Sequence, residues 1–153
     1  MPLSAPASAN KDHEELLRLL VKVQQLTGKT GTVAEGLARP LQAHMAKEED
    51  LALPLLGILT ELVEEKLTKG QALRASRLYS KMKEEYPGML RRHKEITKQL
   101  LRLKKVGADE GHLTAVRFAE ALEQHSQQEE EVLYPAALLA GKLASAHRQK
   151  KAA

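Results

Sequence analysis

Apolar residues recur at intervals of three and four along most of this chain, a spacing that places them on one face of an α-helix. Alternation of apolar and polar residues, which would indicate half-buried strands, is absent, and Leu, Ala, Glu and Lys are strong helix formers. The 153 residues suffice for one domain with its own core, since 42% are hydrophobic and 29% are charged. We therefore predict an all-α fold, an up-down four-helix bundle.

Glycines and capping residues divide the helical pattern into main and minor segments. The four main helices are predicted, in chain order, at about 10–28, 32–54, 71–106 and 109–147. Extra helical segments over 55–67 separate the second main helix from the third. This division makes 1–9 a flexible N-terminus, 10–147 the domain and 148–153 a basic C-terminal tail.

Four prolines lie inside the predicted helices. A helical proline removes a backbone hydrogen bond and disfavours helical geometry in the residue before it. We therefore expect a kink or a restart at Pro40, interruptions at Pro54 and Pro135, and a break at Pro87–Gly88.

Composition excludes several classes of function. The chain has no cysteine, which rules out disulfides, thiolate catalysis, Cys-ligated zinc and iron–sulfur clusters. The surplus of 24 Lys and Arg over 20 Asp and Glu is small, and three Tyr, one Phe and no Trp offer little surface for stacking bases. No membrane span or signal peptide is recognisable. We expect a cytoplasmic protein that binds neither nucleic acid nor membrane.

Histidine and glutamate occupy positions within the apolar stripes, where core residues are expected. The four stripes read, in chain order, His13, Leu16 or Leu17, Leu20, Val23; Leu37, Leu41, His44, Glu48, Leu51, Leu55; Tyr86, Met89, His93, Ile96, Leu100; and Phe118, Ala121, His125, Glu129, Val132, Ala136. Each main helix thus points one histidine inward, and two helices add a glutamate one turn later.

Six polar groups on four inward faces require a common partner. A buried ionised carboxylate without one costs several kcal/mol, and imidazoles also need partners. Metal cations satisfy both, because neutral imidazoles and ionised carboxylates are metal ligands. His44 with Glu48, and His125 with Glu129, stand four residues apart on one helix face, so each pair can reach one ion.

The chain also contains an internal duplication. His44-Met-Ala-Lys-Glu48-Glu49 and His125-Ser-Gln-Gln-Glu129-Glu130 are each followed by a proline ten residues after the histidine. His13 precedes His44 by 31 residues and His93 precedes His125 by 32. A repeated two-helix unit of this kind predicts a pseudo-twofold site that receives one glutamate from each half.

The series His13, His44-x-x-x-Glu48, His93, His125-x-x-x-Glu129 resembles the H-HxxxE-H-HxxxE signature of hemerythrin-like (HHE cation-binding) domains, over roughly residues 10–140. The resemblance implies two non-haem iron ions, bridged by the two glutamates and an oxo or hydroxo group, with these six residues as the metal ligands. It also suggests that His13 shares an iron with His44, and His93 with His125, a pairing that the residues alone leave open.

The resemblance implies a protein that binds or senses a small ligand (O2, NO or H2O2) or handles iron. Oxygen-carrying hemerythrins have a further histidine at the position of Met89, which makes reversible oxygen carriage a poor fit. A di-iron enzyme with catalase-like peroxide disproportionation is the alternative function. A helical interaction protein whose polar core residues only set the packing register is a third hypothesis. Ferritin-type bundles fit less well, because their motif runs Glu-x-x-His.

Residues near the six candidate ligands receive separate interpretations. We expect Glu49 and Glu130 to turn away from the site towards solvent, and Met89 to pack in the core. Tyr86 and Tyr134 are assigned to the core, with a hydrogen bond to a metal-bound ligand as the alternative. Two further histidines, His112 and His147, lack a partner at ligand spacing and are predicted on the surface.

Overall fold

A computed structural model describes residues 2–152, with side chains from 2 to 150, and it confirms the all-α prediction. Within these residues there is no strand. The helices are α1 (Ala7–Gln24), α2 (Gly28–Leu51), α3 (Leu53–Leu56), α4 (Leu59–Val63), α5 (Lys69–Asp109), α6 (Leu113–Gln128) and α7 (Tyr134–Ala152), with a π-helical turn at Glu129–Leu133. The short helices α3 and α4 fall where extra segments are predicted. None of the described helices combines the length and apolarity needed to cross a membrane.

The long helices surround a shared interior. Helix α1 packs against α2 and α6, and α5 packs against α2, α6 and α7. One apolar cluster is formed by α1, α2, α5 and α6, with Leu37, Leu100 and Phe118 among its members. A second cluster is formed by α3, α5 and α7, with Leu55 and Met82 at its centre.

The six predicted ligands occupy a polar layer between these two clusters. On α5, His93 lies between Ile96 of the first cluster and Met89 of the second. On α2, His44 and Glu48 follow Leu41 of the first cluster and precede Leu53 of the second. Apolar side chains therefore pack on both sides of the layer, which lowers its access to water.

The predicted break at Pro87–Gly88 is wrong, because both residues lie inside α5, one continuous helix of 41 residues. A proline in a helix interior costs roughly 3 kcal/mol. Packing outweighs that cost, since α5 buries Ala75 and Met82 before the proline and Met89 and Ile96 after it. Helix α2 is likewise continuous through Pro40.

The junction between α1 and α2 also differs from the prediction. Helix α1 ends at Gln24, and Gly28 instead begins α2, with a positive φ of 77°. A Cβ at this position would collide with the Glu110 carboxylate. That carboxylate accepts hydrogen bonds from the backbone N–H groups of Lys29 (3.0 Å) and Thr30 (2.7 Å) and from the Thr30 hydroxyl. These bonds satisfy the first turn of α2 and lower the pKa of Glu110.

A π-helical turn joins α6 to α7, and it changes which residues face inward from those predicted there. The Tyr134 N–H donates to the Glu129 carbonyl, five residues earlier, so the turn contains one residue more than an α-helical turn. Val132, expected to face inward, is 55% exposed, whereas Tyr134 is 1% exposed. Pro135 falls in the first turn of α7, where its missing N–H is tolerated.

Candidate metal centre

The structure brings all six predicted site residues into the polar layer. Five of them are at most 5% exposed: His13, His44, Glu48, His93 and Glu129. The side chain of the sixth, His125, is 11% exposed. Groups that titrate or carry charge are rarely buried at this density unless something compensates them.

The six residues form two clusters that share one carboxylate. Ligand atoms of His44, Glu48, His93 and Glu129 all lie within 4.8 Å of one another, and the same holds for His13, His125 and Glu129. The imidazole centroids are 4.5 Å apart in the His44–His93 cluster and 5.3 Å apart in the His13–His125 cluster. We use these two names below.

This geometry contradicts the suggested pairing of His13 with His44 and of His93 with His125. Each cluster instead takes one histidine from each half of the internal duplication. Helix contacts alone permit either pairing, because α1 and α5 each pack against both α2 and α6. The positions of the side chains along these helices place each histidine beside a histidine from the other half of the duplication.

The Nε2 atoms of all four histidines lie near the two carboxylates. His44 Nε2 is 3.1 Å from Glu48 Oε1, and His93 Nε2 is 3.4 Å from Glu129 Oε1. The other oxygen of Glu129 lies 3.3 Å from Nε2 of His125 and 3.6 Å from that of His13. Glu129 thus directs one oxygen into each cluster, the arrangement expected of a carboxylate that bridges two ions.

Two glutamates outside this set orient the imidazole rings, although both are exposed to solvent, as predicted, with side chains 44% and 43% accessible. Glu49 Oε1 lies 3.1 Å from Nδ1 of His13, and Glu130 Oε1 lies 2.9 Å from Nδ1 of His93. A carboxylate that accepts a hydrogen bond from Nδ1–H fixes the tautomer in which the lone pair of Nε2 is available to a metal. The sequence carries a signal for this role, because each repeat contains two successive glutamates.

Tyr134 makes the two clusters chemically different. Its hydroxyl donates to Glu48 Oε2 at 2.9 Å and lies 3.2 Å and 3.0 Å from the Nε2 atoms of His44 and His93. The matching position of the first repeat is Leu53, also nine residues after the HxxxE histidine. A phenolic hydroxyl therefore reaches the His44–His93 cluster. The apolar Leu53 supplies no such group to the other half.

Burial and mutual contact shift the pKa values of the two carboxyls in opposite directions. Burial, reinforced by a hydrogen bond to Glu129, raises the pKa of Glu48 well above its usual value. Burial alone would also raise the pKa of Glu129, but the neighbouring Glu48 carboxyl and the imidazoles around it lower it. The opposite shifts show two acidic groups held together in a buried layer, an arrangement that a cation would compensate.

The histidines are shifted as well. Burial and the proximity of His93 lower the pKa of His44 to about 4, so His44 is neutral at pH 7. Burial alone would lower the pKa of His13 and of His93, but hydrogen bonds to Glu129 and to Glu49 or Glu130 outweigh it and raise both values. A neutral His44 has a lone pair available for a metal at physiological pH.

Two buried atoms of this layer lack a hydrogen-bond partner among the described residues: His125 Nε2 and Glu129 Oε2. Orphaned buried polar atoms are uncommon in native proteins, and a bound ion is one way in which such atoms are satisfied. The donor set, buried imidazole nitrogen and carboxylate oxygen at mutual distances of at most 4.8 Å, could hold a metal ion.

The remaining candidates lie outside the two clusters. Met89 is 1% exposed and packs in the second apolar cluster, as predicted. Tyr86 packs edge-on against the Tyr134 ring, with centroids 6.0 Å apart. His112 Nε2 is 3.1 Å from the Thr27 carbonyl, and His147 lines a groove near the end of α7.

Comparisons of this chain with protein-family models, with curated proteins and with solved structures find no match.

Proposed function

We propose that this chain is a hemerythrin-like protein, an up-down four-helix bundle that holds two non-haem iron ions in its polar layer. In this proposal it acts in the cytoplasm and binds or senses a small ligand (O2, NO or H2O2), or handles iron. The observation that carries the proposal is the position of Glu129, whose two oxygens face two separate pairs of imidazoles. A lone buried histidine can be satisfied by one hydrogen bond, whereas a carboxylate shared between two pairs of imidazoles calls for cations on both of its sides.

The donor set is compatible with iron and disfavours copper(I). Mixed imidazole and carboxylate ligands suit iron, zinc and manganese, whereas copper(I) prefers the thiolates and thioethers that are missing from this layer. His44, His93 and Glu48 would hold one ion, His13 and His125 the other, and Glu129 would contact both. Iron in such a site would supply redox chemistry and open coordination positions for a small molecule.

The chain's own residues would prepare the site for that chemistry. Glu49 and Glu130 hold the rings of His13 and His93 with Nε2 directed inward. Tyr134 places a hydroxyl beside His44 and His93, where it can donate a hydrogen bond to a small ligand. The apolar clusters on both sides limit water, which strengthens each electrostatic contact in the layer.

The test is to load the protein with Fe²⁺ under anaerobic conditions and titrate it with NO and, separately, with H2O2. We expect a saturable change in absorption with a fixed ligand-to-protein ratio. His93→Gln should weaken the change strongly, whereas the matched control His147→Gln should leave it intact, because His147 lies outside the layer. Oxygen released from H2O2 over many turnovers would replace the binding proposal with the catalase-like alternative. Iron-loaded protein that responds to neither ligand would contradict both.

A further inference from the structure

Two clefts approach the polar layer from different sides of the molecule. One lies between α2 and α5, has a volume of about 310 Å³ and reaches His44. The other lies between α1 and α6, has a volume of about 280 Å³ and reaches His125. Because His44 and His125 belong to different clusters, each cleft approaches one cluster only.

The two clefts differ in charge. Asp12 and Glu15 line the α1/α6 cleft, both are exposed, and neither forms an ion pair within the described part of the chain. The other polar residues that line it, apart from His125, are the neutral Gln124 and Gln128.

The α2/α5 cleft is lined instead by two cations, Lys47 and Arg92, and one acid, Glu85. Lys47 Nζ is 2.7 Å from Glu85 Oε2, and Arg92 Nε is 3.9 Å from Glu95 Oε2, so each cation of this cleft is offset by an acid. A cation is therefore attracted at the α1/α6 cleft, where the two acids have no such partners, and not at the α2/α5 cleft.

Buried atoms at the inner end of the α1/α6 cleft are also ready to receive a cation. His125 is the most exposed of the four histidines, with a side chain that is 11% accessible against 2–3% for the others. Its Nε2 and the neighbouring Glu129 Oε2, 3.3 Å away, are the two orphaned atoms of the layer. Glu129 is itself 2% exposed.

We propose that divalent metal ions reach the centre through the α1/α6 cleft, guided by Asp12 and Glu15 and received first by His125 and Glu129. This inference rests on the proposed metal centre and assigns it a route of uptake. Two carboxylates at the mouth of the cleft raise the local concentration of a divalent cation and exchange its hydration water for oxygen ligands. Because these acids are exposed, their attraction is screened by salt.

The experiment measures the rate of Co²⁺ uptake by stopped-flow absorption, since cobalt bound by imidazole and carboxylate absorbs visible light. We expect Asp12→Asn/Glu15→Gln to slow uptake by about fivefold or more at low ionic strength, within the range of electrostatic steering. Added salt should narrow the difference, and the final content should stay at two ions per chain. The matched control Glu35→Gln/Asp109→Asn removes the same charge outside both clefts and should load at the wild-type rate.

A second pair of variants tests the route without changing charge. Ala121→Trp fills the α1/α6 cleft and should slow uptake, whereas Ala43→Trp fills the α2/α5 cleft and should not. Equal rates for the acid-removing variant and its control, or slower uptake with Ala43→Trp alone, would overturn the proposed route. Wild-type protein that takes up no cobalt would instead overturn the metal centre itself, so the two failures are distinguishable.

Discussion

At the scale of single residues, Tyr134 and Leu53 show how far the two halves of the duplication have diverged. Both follow an HxxxE histidine by nine residues and precede a proline, and both are at most 2% exposed. One brings a hydroxyl to the His44–His93 cluster and the other only apolar surface. The two clusters are therefore inequivalent even though their histidines are related by the repeat.

Tyr134→Phe should destabilise the metal-free protein by about 1–3 kcal/mol, because buried polar atoms of Glu48, His44 and His93 lose their hydrogen-bond partner. Urea unfolding monitored by circular dichroism measures the change. Tyr86→Phe is the matched control, since that residue contacts the Tyr134 ring and lies outside both clusters. Equal unfolding midpoints for wild type and Tyr134→Phe would show that the hydroxyl contributes nothing to the layer.

Glu129 and Glu48 should differ in their effect on metal content. Glu129→Ala removes the only carboxylate present in both clusters, so we expect less than one ion per chain. Glu48→Ala affects the His44–His93 cluster and should leave one ion at most. Elemental analysis after reconstitution measures both, with the exposed Glu131→Ala as control. Two ions retained in Glu129→Ala would refute its bridging role, and two ions retained in Glu48→Ala would show that Glu48 is not required at the His44–His93 cluster.

At the scale of helices, the contact between Glu110 and the start of α2 determines a pH dependence. The folded-state pKa of Glu110 lies below its ordinary value of 4.5, so its contribution to stability is present above 4.5 and is lost as the pH falls through the folded value. Glu110→Gln should therefore lower the melting temperature at pH 7, and the difference should shrink below pH 4.5.

Melting curves at several pH values test this effect. The exposed Glu35→Gln serves as the control and should match wild type throughout. If the difference in melting temperature between Glu110→Gln and wild type stayed the same at acidic pH, the effect would come from side-chain packing and not from the charge of Glu110.

Helix-scale features divide into those that local sequence predicts and those that it does not. The helical class and the inward positions of His44, Glu48 and His93 follow from periodicity, which is a local property. Continuity through Pro87 depends on packing along the whole of α5, and the π-helical turn depends on where Tyr134 can be buried. Both are tertiary effects that override local preference, and they are the reason that periodicity alone places Val132 on the wrong face.

The pairing of the histidines also could not be predicted from the sequence. Repeat spacing relates His13 to His93 and His44 to His125 as equivalents, but it carries no information on which helices become neighbours. Helices α1 and α5 each pack against both α2 and α6, so the membership of each cluster depends on where the side chains meet in three dimensions.

At the scale of the whole molecule, metal binding and folding should be coupled. The polar layer separates the two apolar clusters, so an unfilled layer weakens the protein at its centre. A ligand that binds only the folded state stabilises it by about 4 kcal/mol at a thousandfold excess over its dissociation constant. Chelation should therefore lower the melting temperature of the wild type by several degrees. Chelation should not change the melting temperature of Glu129→Ala. Identical melting temperatures of the wild type with and without chelator would argue against a metal-bound native state.

Diffraction from a crystal of iron-loaded protein at the iron absorption edge tests the central claim most directly. We predict two anomalous peaks inside the helical layer, one between His44 and His93 and one between His13 and His125, with a Glu129 oxygen beside each. A layer that contains only water, or a single peak far from Glu129, would contradict the account.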